Sequence, residues 1–186
     1  MQNNDSFPRV MKSTAAATLA VTVSLALLNH FFPRDWLLSA AISTGTVFYH
    51  FAIRLAVGWA VPRMMPHPRH RKWFQQRYFE PKLYETLHVK FWKDYMPTYD
   101  PASFSLRTNT LEQIVHNCCV SEAVHEIIIL LSFVPLAFTI WWGAFPVFLI
   151  TSVLAAAFDC CFVIMQRYNR PRLVRILAKK EASGRE

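Results

Sequence analysis

The sequence predicts an all-α integral membrane bundle of about four transmembrane helices, with an amphipathic interfacial segment on the cytoplasmic side. Three observations predict it. Hydrophobic residues make up 53% of the 186, and only 17% are charged, whereas a soluble domain carries about a quarter of its residues as Asp, Glu, Lys or Arg. Apolar stretches recur at lengths near the roughly 20 residues that a membrane-crossing helix needs. The 20 Lys and Arg outnumber the 12 Asp and Glu, for a formal charge of +8, and they gather between and after those stretches. The aromatic content excludes a disordered chain. Gly45, Gly58, Gly143 and Gly184 are too scattered for a glycine-rich phosphate cradle.

The spans are expected at about 15–32, 36–61, 125–142 and 144–165, within a single membrane domain of residues 1–186. The N-terminal sequence is a poor signal-peptide start, so the first span reads as an uncleaved anchor. Phe32-Pro33-Arg34-Asp35 is a tight turn between the first two spans, and Trp141-Trp142-Gly143-Ala144 another between the last two. Apart from Arg34 in a turn and Arg54 in a span, every Lys and Arg lies in the N-terminal tail, the central loop or the C-terminal tail, 167–186. Basic residues mark the cytoplasmic side, which predicts a multi-pass protein of the cell membrane with both termini and the central loop in the cytoplasm. Trp36, Trp141 and Trp142 suit the opposite interface. With the positive charge explained by topology, the expected partner is the lipid bilayer and not nucleic acid. Oligomeric state is not encoded in any recognisable pattern.

The central segment, about 62–109, interleaves basic residues with large aromatics, among them Trp73, Tyr84 and Trp92. Such segments lie in the headgroup region. Two readings stand: a surface apron, or one wall of a groove for a lipid-like substrate. Within it Glu80-Pro81 is suited to open a short helix. Next, Asn109 or Thr110 with Glu112 or Gln113 three residues on reads as a capping box. Leu111, Ile114, Val115, Cys118, Glu122 and His125 then follow at helical spacing on one stripe. Pro135 is expected to kink the third span. Cys118-Cys119 and Cys160-Cys161 are adjacent pairs, which suits packing better than metal binding.

Ionisable groups inside spans are costly and seek partners. Arg54 and Asp159 fall at similar depth and are expected to pair. His50, one turn from Arg54 on the same face, reads as a hydrogen-bonded core histidine, with a ligand or base as the alternative. Glu122 and His125 share a helix face, and a carboxylate beside an imidazole suits a general base; a capped, solvated helix end is the alternative. Glu-x-x-His is half of a di-iron motif, but a single copy gives no metal site. After the fourth span, Gln166-Arg167-Tyr168-Asn169-Arg170-Pro171-Arg172-Leu173 offers arginines for phosphate or carboxylate, or a positive-inside stop.

That run, the Trp92-Lys93-Asp94-x-Met96-Pro97 segment with Tyr84 upstream, and the Glu122-x-x-His125 pair together resemble the glycosyl-4,4'-diaponeurosporenoate acyltransferase family over about 73–177. The chain differs from the family's expected pattern at Glu126, Asp159 and Cys161. The resemblance implies transfer of a fatty acyl chain to a sugar hydroxyl of a glycosylated carotenoid. It implies no bound cofactor, with acyl-CoA or acyl-carrier protein as donor. His125 would be the catalytic base, oriented by Glu122. Gln166, Arg167, Asn169 and Arg170 would bind donor or substrate, with Trp73, Trp92 and Tyr84 on the lipid side. Rival readings are a membrane reductase or methyltransferase acting on an apolar substrate, and a non-catalytic lipid-binding protein.

Overall fold

The computed structural model describes residues 6–65 and 71–184. The first residues of the N-terminal tail, Arg69 of the basic loop and Arg185 of the basic tail lie outside them. Of the described residues 84% are helical, and no strand occurs among them. Helical segments at Phe7–Phe31, Asp35–Met64, Leu111–Trp142 and Phe145–Ser183 are long and apolar enough to cross a membrane.

Helix α1, Ser6–Phe31, stops two residues before Pro33, where the pre-proline position disfavours helical backbone. Helix α2, Asp35–Met64, begins with an aspartate, which complements the positive end of the helix dipole. It runs through Pro62 and ends within one turn of it. The central segment carries two short helices, α3 (Glu80–Thr86) and α4 (Val89–Trp92), joined at His88, whose φ is 50°.

Helix α5, Leu111–Leu131, opens with the reciprocal capping box. The Thr110 amide donates to Gln113 Oε1 at 2.7 Å, and the Gln113 amide donates to Thr110 Oγ1 at 3.2 Å. Asn109 instead donates to the Ala102 carbonyl. The α-helix does not simply kink near Pro135 but ends at Leu131. A 3₁₀ turn at Val134–Phe138 follows, then the one-turn helix α6, Thr139–Trp142. Helix α7, Phe145–Ser183, has 39 residues, or about 58 Å at 1.5 Å per residue. It therefore continues unbroken through the stretch expected as a basic tail. The helix that leads into the third span starts at Leu111, where the capping box puts it.

The chain divides into two compact units, Met1–Trp59 with Ile127–Asp159, and Ala60–Glu126 with Cys160–Glu186. In the first unit α1 and α2 approach closely. A Cβ on Gly45 would stand 3.2 Å from Thr22 Cγ2, and Thr22 donates to Thr44 Oγ1 at 3.0 Å. Small residues allow such approach where no hydrophobic force drives helices together. Apolar side chains of α1 such as Val21, Val23, Leu27 and Leu28 face outward, as a lipid-facing helix requires.

Polar groups are concentrated inside this unit. Arg54 Nη2 pairs with Asp159 Oδ2, and the same nitrogen donates to the Ala155 carbonyl at 3.2 Å. Arg54 Nη1 donates to the His50 carbonyl at 2.7 Å. His50 is buried as expected, but neither ring nitrogen has a hydrogen-bond partner; the arginine takes its backbone instead of its imidazole. Tyr49 Oη donates to the Leu131 carbonyl at 2.8 Å. In an uninterrupted helix that carbonyl would accept from residue 135, which is proline and has no N–H.

Candidate functional site

The second unit gathers most of the polar residues singled out above, around the middle of α5. Its stripe is buried from Ile114 through Val115 and Cys118 to Glu122. Burying an uncompensated carboxylate costs several kcal/mol, so Glu122 requires partners, and α7 supplies them. Glu122 Oε1 accepts from Arg167 Nε at 2.7 Å, and Oε2 accepts from Arg170 Nη1. The arginines are three apart, so both reach the same face of α5.

Arg167 ties in the central segment as well. Its Nη1 pairs with Glu80, and its Nη2 donates to the Trp73 carbonyl at 2.9 Å. Each guanidinium nitrogen of Arg167 is therefore engaged. Glu80 and Glu122 balance Arg167 and Arg170 in charge, and the two carboxylates and Arg170 are each at most 3% exposed. This is a closed four-residue ion network joining α3, α5 and α7. Arg170 also lies over the Phe74 ring at 5.3 Å, a cation–π contact of a kind that strengthens on desolvation. Its Nη2 is buried and lacks a hydrogen-bond partner.

The central segment is consequently docked, not merely laid alongside. Phe74, Glu80, Tyr84 and Val89 are buried within the unit. The Tyr84 ring meets Tyr168 edge-on at 5.6 Å. Burial, and then the neighbouring Glu80 carboxylate, raises the Tyr84 phenol above its ordinary range, so it stays neutral. Trp73 Nε1 donates to Glu126 Oε2 at 2.8 Å, and Arg77 lies over the Trp73 ring at 5.3 Å.

His125 is half-buried on α5, its ring stacked on Phe162 of α7 with centroids 4.4 Å apart and planes at 6°. Stacking fixes the imidazole plane while leaving the side chain partly accessible. Gln166 donates to Ser121 Oγ at 3.3 Å. Asn169 is half-buried on α7. Trp92 differs from Trp73: its Nε1 donates to the Leu87 carbonyl at 2.9 Å, which closes the turn between α3 and α4. Arg54 and Asp159, paired in the first unit, take no part in this network.

Two participants escaped the sequence reading. Glu80 was legible only as a helix opener beside Pro81, and Phe74 only as one of many aromatics. The available signal was Glu80 itself, an acid in an otherwise basic and aromatic segment. Cys118 and Cys119 are buried thiols, and none of the four cysteines, Cys160 and Cys161 included, forms a disulfide. No group of three or more His, Cys, Asp or Glu among the described residues is placed to hold a metal ion.

Chemically, the arrangement offers a partly accessible imidazole one turn from a buried, charge-balanced cluster. Comparison with known proteins adds a family match. The model of the glycosyl-4,4'-diaponeurosporenoate acyltransferases matches residues 70–179, more than half the chain, including every residue of the ion network and His125. No curated protein and no solved structure matches the chain. On that match, the protein belongs to the glycosyl-4,4'-diaponeurosporenoate acyltransferase family.

Proposed function

We propose that the protein is a membrane acyltransferase that esterifies a hydroxyl of a glycosylated lipid, a glycosylated carotenoid being the acceptor that the family's name implies. The observation that carries this reading is the placement of His125. It is half-buried and held flat on Phe162, one helical turn from Glu122. In this reading the protein lies in the cell membrane with both termini and the site at the cytoplasmic face, which the distribution of Lys and Arg supports.

His125 takes the proton of the sugar hydroxyl as its oxygen attacks the carbonyl of an acyl thioester carried by coenzyme A or acyl-carrier protein. The ester forms, the carbon–sulfur bond breaks, and the proton passes from the imidazolium to the leaving thiolate. Glu122 steadies the imidazolium less than a lone carboxylate would, because two guanidinium groups already share its charge. Its larger part is to hold Arg167 and Arg170 in place. Preorganised positive charge stabilises an oxyanion without reorganising. Arg167 contributes by charge alone, since its nitrogens are engaged, whereas Arg170 retains Nη2. Gln166 and Asn169 line the acceptor side, and Trp73, Tyr84 and Trp92 support the lipid side.

The test is ester formation by purified protein in detergent, with glycosylated carotenoid and acyl-CoA or acyl-carrier protein. His125→Ala is expected to lower the rate by roughly 10²–10⁴-fold while elution and helical content stay unchanged. Full activity in that folded variant would remove His125 from the mechanism.

A further inference from the structure

Within the second unit, a groove of about 450 Å³ lies between residues 74–76, the early turns of α5 at Val115 and Cys119, and the late turns of α7 at 170–181. That volume falls within the roughly 300–1,000 Å³ of small-molecule sites. The groove has no net charge: Arg170 is already held by Glu122, and Arg175 shares the lining with Glu181. A charged group entering it would find no uncompensated partner, and an unpaired charge is costly to bury. What the lining offers is an apolar floor, Phe74, Val115 and Val174, edged by the amides of Gln75 and Gln76, both exposed. Such a surface suits a neutral chain with amides at intervals, because each glutamine both donates and accepts. Direction narrows the ligand further. Arg170 stands at one end of the α7 wall and is bonded to Glu122, one turn from His125. Glu181 stands at the other end, beyond the basic run and away from the apolar stretch before Gln166. From Arg170 to Glu181 the helix rises about 16.5 Å at 1.5 Å per residue.

We propose that this groove binds the pantetheine arm of the acyl thioester donor, an inference that rests on the acyl-transfer reading. The thioester carbonyl lies at the Arg170 end, where that reading places the oxyanion. The acyl chain leaves on the side of His125 and Phe162, and the arm follows the groove toward Glu181. Between the thioester sulfur and its phosphate the arm carries no charge, and its two amides sit in an otherwise largely aliphatic chain. Extended, it is as long as four residues of peptide, about 14 Å, which the α7 wall accommodates. The phosphate stays outside in water, so binding needs no excess of positive charge in the lining.

The experiment uses the full chain purified in detergent and unreactive hexadecyl thioethers. Equilibrium binding of hexadecyl-pantetheine, which has the arm but no phosphate, is compared with that of hexadecyl hydroxyethyl sulfide, which has neither. The pantetheine thioether is expected to bind at least about tenfold more tightly. Ala178→Trp fills the groove from an exposed position, and Gln75→Ala with Gln76→Ala removes its amides. Each variant is expected to weaken that binding about tenfold, with elution and helical content unchanged. Equal binding of the two thioethers, or unchanged binding in both folded variants, would overturn the proposal. Ester formation is read separately. In Ala178→Trp the KM for palmitoyl-CoA or for palmitoyl carrier protein is expected to rise about tenfold with kcat little changed. The donor affected names the source of the arm, and a KM unchanged for both would overturn the site. Arm-selective binding in a chain that forms no ester supports the groove and overturns the transferase reading alone; ester formation without arm selectivity does the reverse.

Discussion

Arg170 donates to Glu122 with both side chains closed to solvent, at 3% and 0% exposure. Two helices far apart in sequence are thereby held by a bond that water cannot replace. Truncating one partner of a buried pair costs about 3–5 kcal/mol, because it strands the other charge. Glu122→Gln is therefore expected to destabilise the fold by that amount, and Glu80→Gln by less, about 1–3 kcal/mol, since Arg167 keeps Glu122 and the Trp73 carbonyl. Unfolding midpoints in mixed micelles check the order, and a larger loss for Glu80→Gln would contradict it.

Arg54 and Asp159 make a second pair in the other unit, with side chains 14% and 1% exposed. Asp159→Asn alone is expected to cost about 3–5 kcal/mol, whereas Arg54→Met with Asp159→Leu is expected to be neutral or stabilising. The measurement is again the unfolding midpoint, combined with ester formation. A folded, inactive double variant would show that the pair serves more than structure.

Tyr49 supplies the Leu131 carbonyl with the donor that Pro135 lacks. Tyr49→Phe should cost about 1 kcal/mol, in the range of hydrogen bonds between membrane helices. Pro135→Ala restores an N–H, so the effect of Tyr49→Phe should shrink in that background. A double-mutant cycle tests the coupling, and strictly additive effects would refute it.

Thr110 and Gln113 close the capping box at the start of α5. Thr110→Ala is expected to destabilise by about 1 kcal/mol, with Gln113→Ala in the same direction. Glu112→Ala, which leaves the box intact, should have a smaller effect. Hydrogen exchange at the Gln113 amide provides the local readout: faster exchange in Thr110→Ala, and little change in Glu112→Ala.

Particular residues show what was legible. Arg54 and Asp159 are legible as a pair from the sequence, because two isolated charges in apolar spans have few possible partners. The capping box was recognised as a pattern, but both Asn109 and Thr110 satisfied it, and only the contact with Ala102 shows where Asn109 is used. The long extension of α7 was hidden by its arginines. They look like a tail in a hydropathy reading, yet arginine is a good helix former, and Pro171 does not end the helix. Tyr49 could not be foreseen as the partner of Leu131, because nothing local distinguishes its hydroxyl from that of any other tyrosine.

By itself the sequence determined the helical class, the apolar segments and the scarcity of acids, and its polar motifs carried the family resemblance. These follow from local composition and period, because a membrane span is defined by its own length and hydropathy. Tertiary structure alone decided which charges meet in the second unit. Glu122 stood one turn from His125 in the sequence, but its oxygens are held by Arg167 and Arg170, and Glu80 joins them from the central segment. Desolvation decides those pairings: a charge removed from water must find its counter-charge wherever packing brings one within reach, and sequence separation sets no limit on that.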